Sequence, residues 1–233
     1  MTDGIKIMGI INATPDSFFG PSRYNMSILD EDIDIVDVGA CSTRPGSEPV
    51  GEEEEWERLE PVISSILKRD NHPVISIDTF RSGIVRKVYD LAGPVMVNDV
   101  TAGSEDPGML PLVRELGLEY VAVHNEGRIA GSEVPSSPEP VLQRVMSFFK
   151  EFGKIAEGID WILDPGFGFG KTYDENWELL AHLDSLKCFN RPILVGVSRK
   201  KMTMGTKDET IRAHKIAIER GASILRVHEL PIL

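Results

Sequence analysis

The stretch Trp161-Ile-Leu-Asp-Pro-Gly-Phe-Gly-Phe-Gly-Lys171 contains the pattern that decides the fold of this 233-residue chain. A short apolar run ends in an aspartate, and a turn rich in glycine follows it. Continuous apolar runs of this length are typical of strands that are buried on both faces of a parallel sheet. A helical pattern comes next, at residues 175–183. The segment therefore predicts one unit of strand, loop and helix.

The same unit recurs along the chain. Short runs rich in β-branched residues lie at eight places: 5–11, 33–38, 74–77, 95–97, 120–123, 161–163, 193–197 and 224–227. Helical patterns lie between many of them, at 52–69, 82–91, 107–116, 138–156, 175–183 and 209–220. Eight strands that alternate with helices favour a closed barrel over an open sheet. We predict an α/β protein, a (β/α)8 TIM barrel that forms a single domain over residues 1–233.

The sequence beside the first strand is short for such a barrel. Only residues 26–32 separate the first loop from the second strand, and no helical pattern follows the last strand. We therefore expect a reduced first helix and no eighth helix, with apolar side chains of strand one left uncovered. Three explanations are open: a second copy of the chain covers the strand in a homodimer, the barrel is a reduced form, or segments are missing from the sequence.

Composition restricts the partners of the protein. The chain has 25 Lys and Arg against 37 Asp and Glu, a net charge of −12, which excludes the basic surface that nucleic acid or an anionic membrane requires. The sequence contains neither a signal peptide pattern nor a membrane-spanning run, and Cys41 and Cys188 lack metal-site spacing. We predict a soluble, cytoplasmic protein. Glu52 to Glu55 are expected to form a solvated helix face.

Polar residues follow the predicted strands at the points where the strands end. These residues and segments are Asn12, 39–46, Asp78, Asn98, His124, 164–171, Ser198 to Lys200 and Arg226 to Glu229. Barrel enzymes build their active sites at the carboxyl ends of the strands. A carboxylate there can accept two hydrogen bonds from an amino group and a ring N–H, and an amide can face a mixed edge. The alternative for Asp78, Asn98 and Asp164 is that each caps the helix that follows it.

Cations and glycines at these strand ends suggest two further features. Arg44, Lys200, Arg226 and His228, with Asn12, would form a local cationic field. Arg226 lies within an apolar run, which directs its guanidinium group to the barrel mouth or interior. The glycine-rich segment 164–171 fits neither a phosphate loop nor a dinucleotide fingerprint, so it is either a turn with positive φ angles or a ring-binding pocket with two aromatic side chains.

No zinc or iron spacing occurs in the sequence. A loosely held Mg²⁺ that is shared with a substrate phosphate would leave no motif and stays open.

Seven segments, in order and over nearly the whole chain, resemble the dihydropteroate synthase family. They are 7–18 (IMGIINATPDSF), 37–46 (DVGACSTRPG), 77–79 (IDT), 97–103 (VNDVTAG), 164–171 (DPGFGFGK), 196–200 (GVSRK) and 226–228 (RVH). The resemblance implies a (β/α)8 barrel that joins 6-hydroxymethyl-7,8-dihydropterin diphosphate to 4-aminobenzoate in folate biosynthesis and releases diphosphate. Mg²⁺ would act with the diphosphate, and sulfonamides would occupy the aminobenzoate site.

The resemblance also implies roles for the matching residues. The pterin ring would be held by Asp78, Asn98, Asp164, Lys200 and Arg226. The diphosphate would be held by Asn12, Thr43, Arg44, Arg226 and His228, with Asn12 also a ligand of Mg²⁺. The aminobenzoate would contact Pro45, Phe169 and Ser198. The catalytic residues would be Asp78, Lys200, Asp16 and Arg44, of which Asp16 and Arg44 lie on loops that close over the site.

The resemblance further implies that the C–O bond ionises before the amine attacks. Cations would stabilise the departing diphosphate, and the Asp78 carboxylate would stabilise the pterin cation left behind. Two alternatives remain at this point. One is a barrel related to the methyltetrahydrofolate-binding methyltransferases, against which the Ser-Thr-Arg-Pro-Gly and Ser-Arg-Lys segments argue. The other is a pterin-binding relative without catalytic activity.

Overall fold

Eight parallel strands form a nearly closed barrel in the computed structural model, which describes residues 4–13, 26–41, 50–127 and 139–232. The strands are β1 (Lys6–Asn12), β2 (Ile35–Gly39), β3 (Val74–Asp78), β4 (Met96–Asp99), β5 (Glu119–Val123), β6 (Asp160–Asp164), β7 (Leu194–Val195) and β8 (Ile224–Val227). Their order is β6-β5-β4-β3-β2-β1-β8-β7. A bridge between Leu163 and Ile193 joins the two edge strands. The predicted barrel is confirmed.

Helices follow the strands as the sequence predicts. They are α1 (Glu52–Leu67), α2 (Ser82–Ala92), α3 (Met109–Leu116), α4 (Val141–Ile155), α5 (Tyr173–Ala181) and α6 (Lys207–Glu219). Short 3-10 helices occupy Met26–Asp30, Leu183–Phe189 and Lys201–Thr203. The start of α5 is fixed by a capping box, in which Thr172 and Glu175 bond each other's backbone amides. No helix among the described residues is both long and apolar enough to cross a membrane.

Two apolar clusters divide the core. The larger one lies between the strands and the helices, and the smaller one fills the barrel interior with residues from seven strands: Met8, Ile35, Met96, Val121, Val123, Ile162, Leu194 and Ile224. Side chains two positions apart in a strand share a face. Asp37, Asn98 and Asp164 therefore lie on the interior face, toward the carboxyl ends. The barrel thus has an apolar floor below a polar mouth.

The first strand is covered within the chain. Ile7 and Ile11 are buried in the outer cluster. The 3-10 helix at Met26–Asp30 packs so closely on β1 that a Cβ atom at Gly9 would lie 2.6 Å from Cγ1 of Ile28. Ile232, beyond β8, belongs to the same cluster. Among the described residues the first helix is reduced and none follows β8, as predicted. The expected exposure of strand one is wrong, because the 3-10 helix at Met26–Asp30 packs on it in place of a full helix.

The four glutamates at the start of α1 do not share one environment. Glu52 to Glu54 are exposed, but Glu55 is fully buried. The Thr79 hydroxyl donates to Oε1 of Glu55 at 2.7 Å, and the Arg81 guanidinium pairs with Oε2. Arg81 also donates to the carbonyl of Val50 at 2.6 Å. The predicted solvated face is therefore wrong for Glu55, because the end of β3 and the start of α2 supply donors for its carboxylate.

Candidate active site

The predicted pterin-binding residues meet at the carboxyl end of the barrel. Asp78 ends β3, Asn98 lies in β4, and Asp164 ends β6. The N-cap positions of the following helices are Arg81, Gly108 and Thr172. The helix-capping alternative is therefore wrong for all three polar residues, and their side chains are available to the barrel mouth.

Arg226 points into the barrel and joins two carboxylates. Its Nε donates to Oδ2 of Asp37 at 2.6 Å, and its Nη2 donates to Oδ2 of Asp78 at 2.7 Å. Burial opposes the charged form, but the two aspartates outweigh it and raise the pKa of Arg226 above its usual value. Arg226 is therefore a fixed cation at the mouth of the barrel, as its position within an apolar run predicts.

Asp37 is a residue of this network that sequence reasoning missed. It is fully buried in β2, and its Oδ1 accepts a hydrogen bond from the hydroxyl of Ser76 at 2.6 Å. Its Oδ2 accepts one from Nδ2 of Asn98 at 3.0 Å in addition to that from Arg226. The signal that identified Arg226, a charge inside an apolar strand, is also present here in Ile35-Val-Asp-Val38.

The environment of Asp78 raises the pKa of its carboxyl toward neutral pH. Burial raises the pKa of this carboxyl to about 7; the Arg226 charge opposes the rise, and the Asp37 charge adds to it. The charges of Asp99 and Glu55 act in the same direction as that of Asp37, with smaller effects. Asp78 is therefore a titrating group at the point where β3 enters the mouth.

Lys200 and Asp164 form the opposite side of the mouth. Burial lowers the pKa of the Lys200 ammonium group to about 8 and raises that of Asp164, with each charge opposing the shift of the other. The Lys200 ammonium donates to the carbonyl of Phe167 and lies 4.6 Å from the ring centre of Phe169. Oδ1 of Asp164 accepts the amide of Gly166 at 2.8 Å.

The glycine-rich segment forms a turn beside this lysine that only glycine can adopt freely. Gly166, Gly168 and Gly170 have φ angles of 70°, 82° and 70°, and a Cβ atom at Gly166 would lie 1.8 Å from the carbonyl oxygen of His124. The interpretation as a turn with positive φ angles therefore holds. Of its two aromatic side chains, Phe169 packs on the inner cluster while Phe167 is buried in the outer one. A ring pocket would therefore use Phe169 alone.

Lys171 stabilises this turn by hydrogen bonds to backbone carbonyl groups. Its ammonium group is buried and donates to the carbonyls of Gly166 at 2.8 Å and His124 at 3.2 Å. Burial lowers its pKa to about 7. Lys171 is therefore a structural residue of the loop. The sequence shows its position at the end of the motif but not these contacts.

Two predicted residues with different roles lie side by side. Nδ1 of His228, predicted to hold diphosphate, is 3.1 Å from the hydroxyl of Ser198, predicted to contact aminobenzoate. Ser198 is buried and His228 is half-buried. The two side chains follow β7 and β8, which are paired in the sheet. This proximity would bring the leaving group and the incoming amine to the same edge of the mouth.

Four predicted residues, Asp16, Thr43, Arg44 and Pro45, lie outside the described residues. Asn12, the predicted Mg²⁺ ligand, is exposed at the end of β1. Across the described ranges no group of three or more His, Cys, Asp or Glu side chains is arranged to hold a metal ion. An amide oxygen is nevertheless a suitable ligand for Mg²⁺, which commonly binds one or two protein oxygens together with substrate phosphates.

Comparison with known proteins identifies the class to which this barrel and site belong. The family described as "Pterin binding enzyme" matches residues 8–228, and the chain belongs to this family. A curated relative, dihydropteroate synthase from Staphylococcus haemolyticus, is 37% identical over 97% of this chain and 90% of its own. The chain is accordingly an enzyme, a transferase similar to dihydropteroate synthase.

Solved structures agree with this assignment. Dihydropteroate synthase from Xanthomonas albilineans with 4-aminobenzoic acid superimposes with a TM-score of 0.86 at 34% identity, over 100% of this chain and 90% of the other. The enzyme from Anaplasma phagocytophilum with bound 6-hydroxymethylpterin-monophosphate gives 0.87 at 27% identity, over 98% and 95%.

Proposed function

We propose that the chain condenses 6-hydroxymethyl-7,8-dihydropterin diphosphate with 4-aminobenzoate to give 7,8-dihydropteroate and diphosphate. The observation that carries the proposal is the buried polar mouth, in which Arg226 joins Asp37 and Asp78 opposite Asp164 and Lys200. Three carboxylates and two cations in one barrel end can bind a heterocycle with both donors and acceptors. The likeness to dihydropteroate synthases supplies the substrates.

The pterin would be recognised by hydrogen bonds with buried groups. A carboxylate, at Asp164 or Asp78, can accept from both the amino group and the adjacent ring N–H. Oδ1 of Asn98 is buried and has no hydrogen-bond partner within the described part of the chain. A buried acceptor left unpaired is costly, so a donor from the ligand at this point would stabilise the complex. Lys200 would donate to an acceptor on the ring.

The diphosphate would lie against the cationic side of the mouth. Arg226 and His228, with Thr43 and Arg44 from the loop after β2, would hold its oxygens. Asn12 would hold Mg²⁺ together with the diphosphate, and the ion would neutralise negative charge that develops on the leaving group. This donor set fits an ion shared with substrate rather than one held by the protein alone.

The reaction exchanges one bond at the methylene carbon of the pterin. The C–O bond breaks and its electron pair leaves with the diphosphate, while the Asp78 carboxylate stabilises the cation that forms. The amine nitrogen of aminobenzoate, placed beside Ser198, Phe169 and Pro45, then bonds to that carbon and loses a proton. Sulfonamides would compete at the aminobenzoate position. Loops that carry Asp16 and Arg44 would exclude water from the cation.

The test is the release of diphosphate by the purified protein. We expect release that requires pterin diphosphate, aminobenzoate and Mg²⁺ together, with no release when any one is omitted. Binding of the pterin diphosphate without release would instead identify a non-catalytic pterin-binding protein. Corrinoid-dependent methyl transfer from methyltetrahydrofolate would identify a methyltransferase. Either result would contradict the proposed activity.

The compartment and the oligomeric state are separate proposals. We propose a cytoplasmic enzyme, consistent with the two free cysteines, Cys41 and Cys188. A homodimer is the second proposal; because β1 is covered within the chain, a partner subunit is not required to bury this strand. Light scattering on the purified protein would measure its mass, and a value of one chain would contradict the homodimer.

A further inference from the structure

We propose that Asp37 is a positioning residue of the pterin site, which holds Arg226 in place and fixes Asn98 as a hydrogen-bond acceptor. The inference rests on the proposed pterin-binding function and assigns a role to a residue outside the predicted set. The evidence for this role is that the Asp37 carboxylate contacts side chains from three other strands.

The geometry places Asp37 at the centre of the polar mouth. Its carboxylate is fully buried and accepts hydrogen bonds from Ser76 in β3, Asn98 in β4 and Arg226 in β8. The three distances are 2.6, 3.0 and 2.6 Å, respectively. Asp37 itself lies in β2, so its single side chain connects strands on both sides of its own.

The first consequence concerns the orientation of an amide. An ionised carboxylate can only accept hydrogen bonds, so Asn98 must turn its NH₂ group toward Asp37. The other end of the amide, Oδ1, then faces away and is the buried oxygen that has no partner among the residues described. With Asp37 in place, Asn98 presents an acceptor to a ligand donor before the ligand arrives.

The second consequence concerns the cation. Arg226 is bonded to two carboxylates, through Nε to Asp37 and through Nη2 to Asp78. Pterin donors that engage Asp78 would compete with Arg226 for this carboxylate and weaken the bond between them. The bond to Asp37 remains, so that the guanidinium stays at the mouth. Without Asp37, a single change at Asp78 would free the cation to move.

A matched control exists two strands away in the sheet. Asp99 is also fully buried and follows Asn98 directly, but its carboxylate accepts from the amides of Thr101 and Gly103 and from the hydroxyls of Thr101 and Tyr120. Tyr120 belongs to the outer cluster, so Asp99 faces away from the barrel interior. Loss of either carboxylate removes a buried charge, but only loss of Asp37 disturbs Asn98 and Arg226.

The experiment measures binding of 6-hydroxymethylpterin by isothermal titration calorimetry, with the Tm of every variant. We expect Asp37→Ala to raise Kd about 30-fold, since hydrogen bonds to two site residues are lost. Asp37→Asn keeps the shape and can still accept from Arg226, so we expect a rise of about tenfold. Asp99→Asn should lower Tm and leave Kd within about threefold of the wild-type value.

A positioning role also predicts a split between substrates. In turnover assays Asp37→Asn should raise KM for the pterin diphosphate and leave KM for aminobenzoate unchanged. Wild-type affinity in Asp37→Asn would overturn the proposal, even if Asp37→Ala fails to fold. Equal losses of pterin affinity in the Asp37 and Asp99 variants, in proportion to Tm, would also overturn it.

The binding measurement does not depend on catalysis. A wild-type protein that binds 6-hydroxymethylpterin without releasing diphosphate would contradict the proposed activity. The role of Asp37 could still be measured from the binding affinities of its variants. A wild-type protein that does not bind this pterin would contradict the role of Asp37 as well.

Discussion

Burial acts in opposite directions on the two titrating residues at the mouth of the barrel. It raises the pKa of Asp78 to about 7 and lowers that of Lys200 to about 8. In both cases burial is the largest cause, because it removes water that would otherwise stabilise the charged form. Perturbed groups of this kind cluster at functional sites, and these two lie where the sequence predicts the pterin.

Loss of the lysine should remove activity without removing the fold. Lys200 is half-buried, and its ammonium group contacts the carbonyl of Phe167 and the ring of Phe169. We expect Lys200→Ala to lower the rate of diphosphate release at least ~100-fold, while far-ultraviolet circular dichroism stays that of the wild type. Release at the wild-type rate would refute its catalytic assignment.

The raised pKa of Asp78 predicts a pH-dependent stability. Because the folded-state pKa of about 7 exceeds the ordinary aspartate value of 3.8, the folded protein binds this proton more tightly than the unfolded chain does. The resulting stabilisation is fully present below about pH 4 and is lost as the pH rises through about 7. Asparagine cannot ionise, so the Tm of Asp78→Asn relative to wild type should rise from about pH 4 to about pH 8. A constant difference in differential scanning fluorimetry would contradict this account.

Sequence reasoning identified the cation of this network but not its central carboxylate. Arg226 and Asp37 carry the same signal, a charge in an apolar strand. Only the structure reveals that they form an ion pair, with 2.6 Å between Nε of Arg226 and Oδ2 of Asp37, and that β1 lies between their two strands. The partners lie 189 residues apart in the chain. Local patterns show that a strand residue is buried and polar, but they do not show what satisfies it.

At the scale of single elements, the glycine-rich turn after β6 has two structural roles. Its backbone places Asp164 and Phe169 at the mouth, and its positive φ angles let the chain approach the carbonyl of His124 closely. The sequence predicted both a turn and a ring pocket as alternatives, and the structure contains the turn with one of the two aromatic side chains directed inward. The directions of the Phe167 and Phe169 side chains depend on how each packs against the rest of the barrel, which the local sequence pattern does not determine.

A glycine in this turn should be far more sensitive than one in a helix cap. A Cβ atom at Gly166 would lie 1.8 Å from the His124 oxygen, whereas at Gly117, which ends α3 with a φ of 63°, it would meet nothing within 4 Å. We expect Gly166→Ala to cost at least ~3 kcal/mol of unfolding free energy and Gly117→Ala about 1 kcal/mol. Equal costs in urea denaturation would contradict the described turn.

The buried ion pair between α1 and α2 should contribute strongly to stability. Glu55 is fully buried and pairs with Arg81, whereas Glu54 in the same helix is exposed. Removing one partner leaves a buried charge, so we expect Glu55→Gln to cost ~3–5 kcal/mol and Glu54→Gln less than ~0.5 kcal/mol. Chemical denaturation of both variants measures the difference, and a cost below ~1 kcal/mol for Glu55→Gln would show that the pair is not essential.

For the whole molecule, the eight strand units and their order were readable from the sequence because each strand carries its own apolar run. The cover of β1 was not, since it depends on how closely Ile28 and Ile33 pack on Gly9, which no local pattern shows. The net charge of −12 likewise concealed a mouth with two half-buried cations, Arg226 and Lys200, that are balanced by local carboxylates. Folding alone brings these distant residues together.

The central claim is that the polar barrel mouth performs the transfer. The measurement that tests it most directly is the rate of diphosphate release by the wild type, Asp78→Asn and Asp99→Asn with pterin diphosphate, aminobenzoate and Mg²⁺. Each variant lacks one hydrogen-bonded carboxylate, but the half-buried Asp78 faces the mouth and the buried Asp99 faces outward. We predict release by the wild type and Asp99→Asn and none by Asp78→Asn. Undiminished release by Asp78→Asn, or none by the wild type, would contradict the claim.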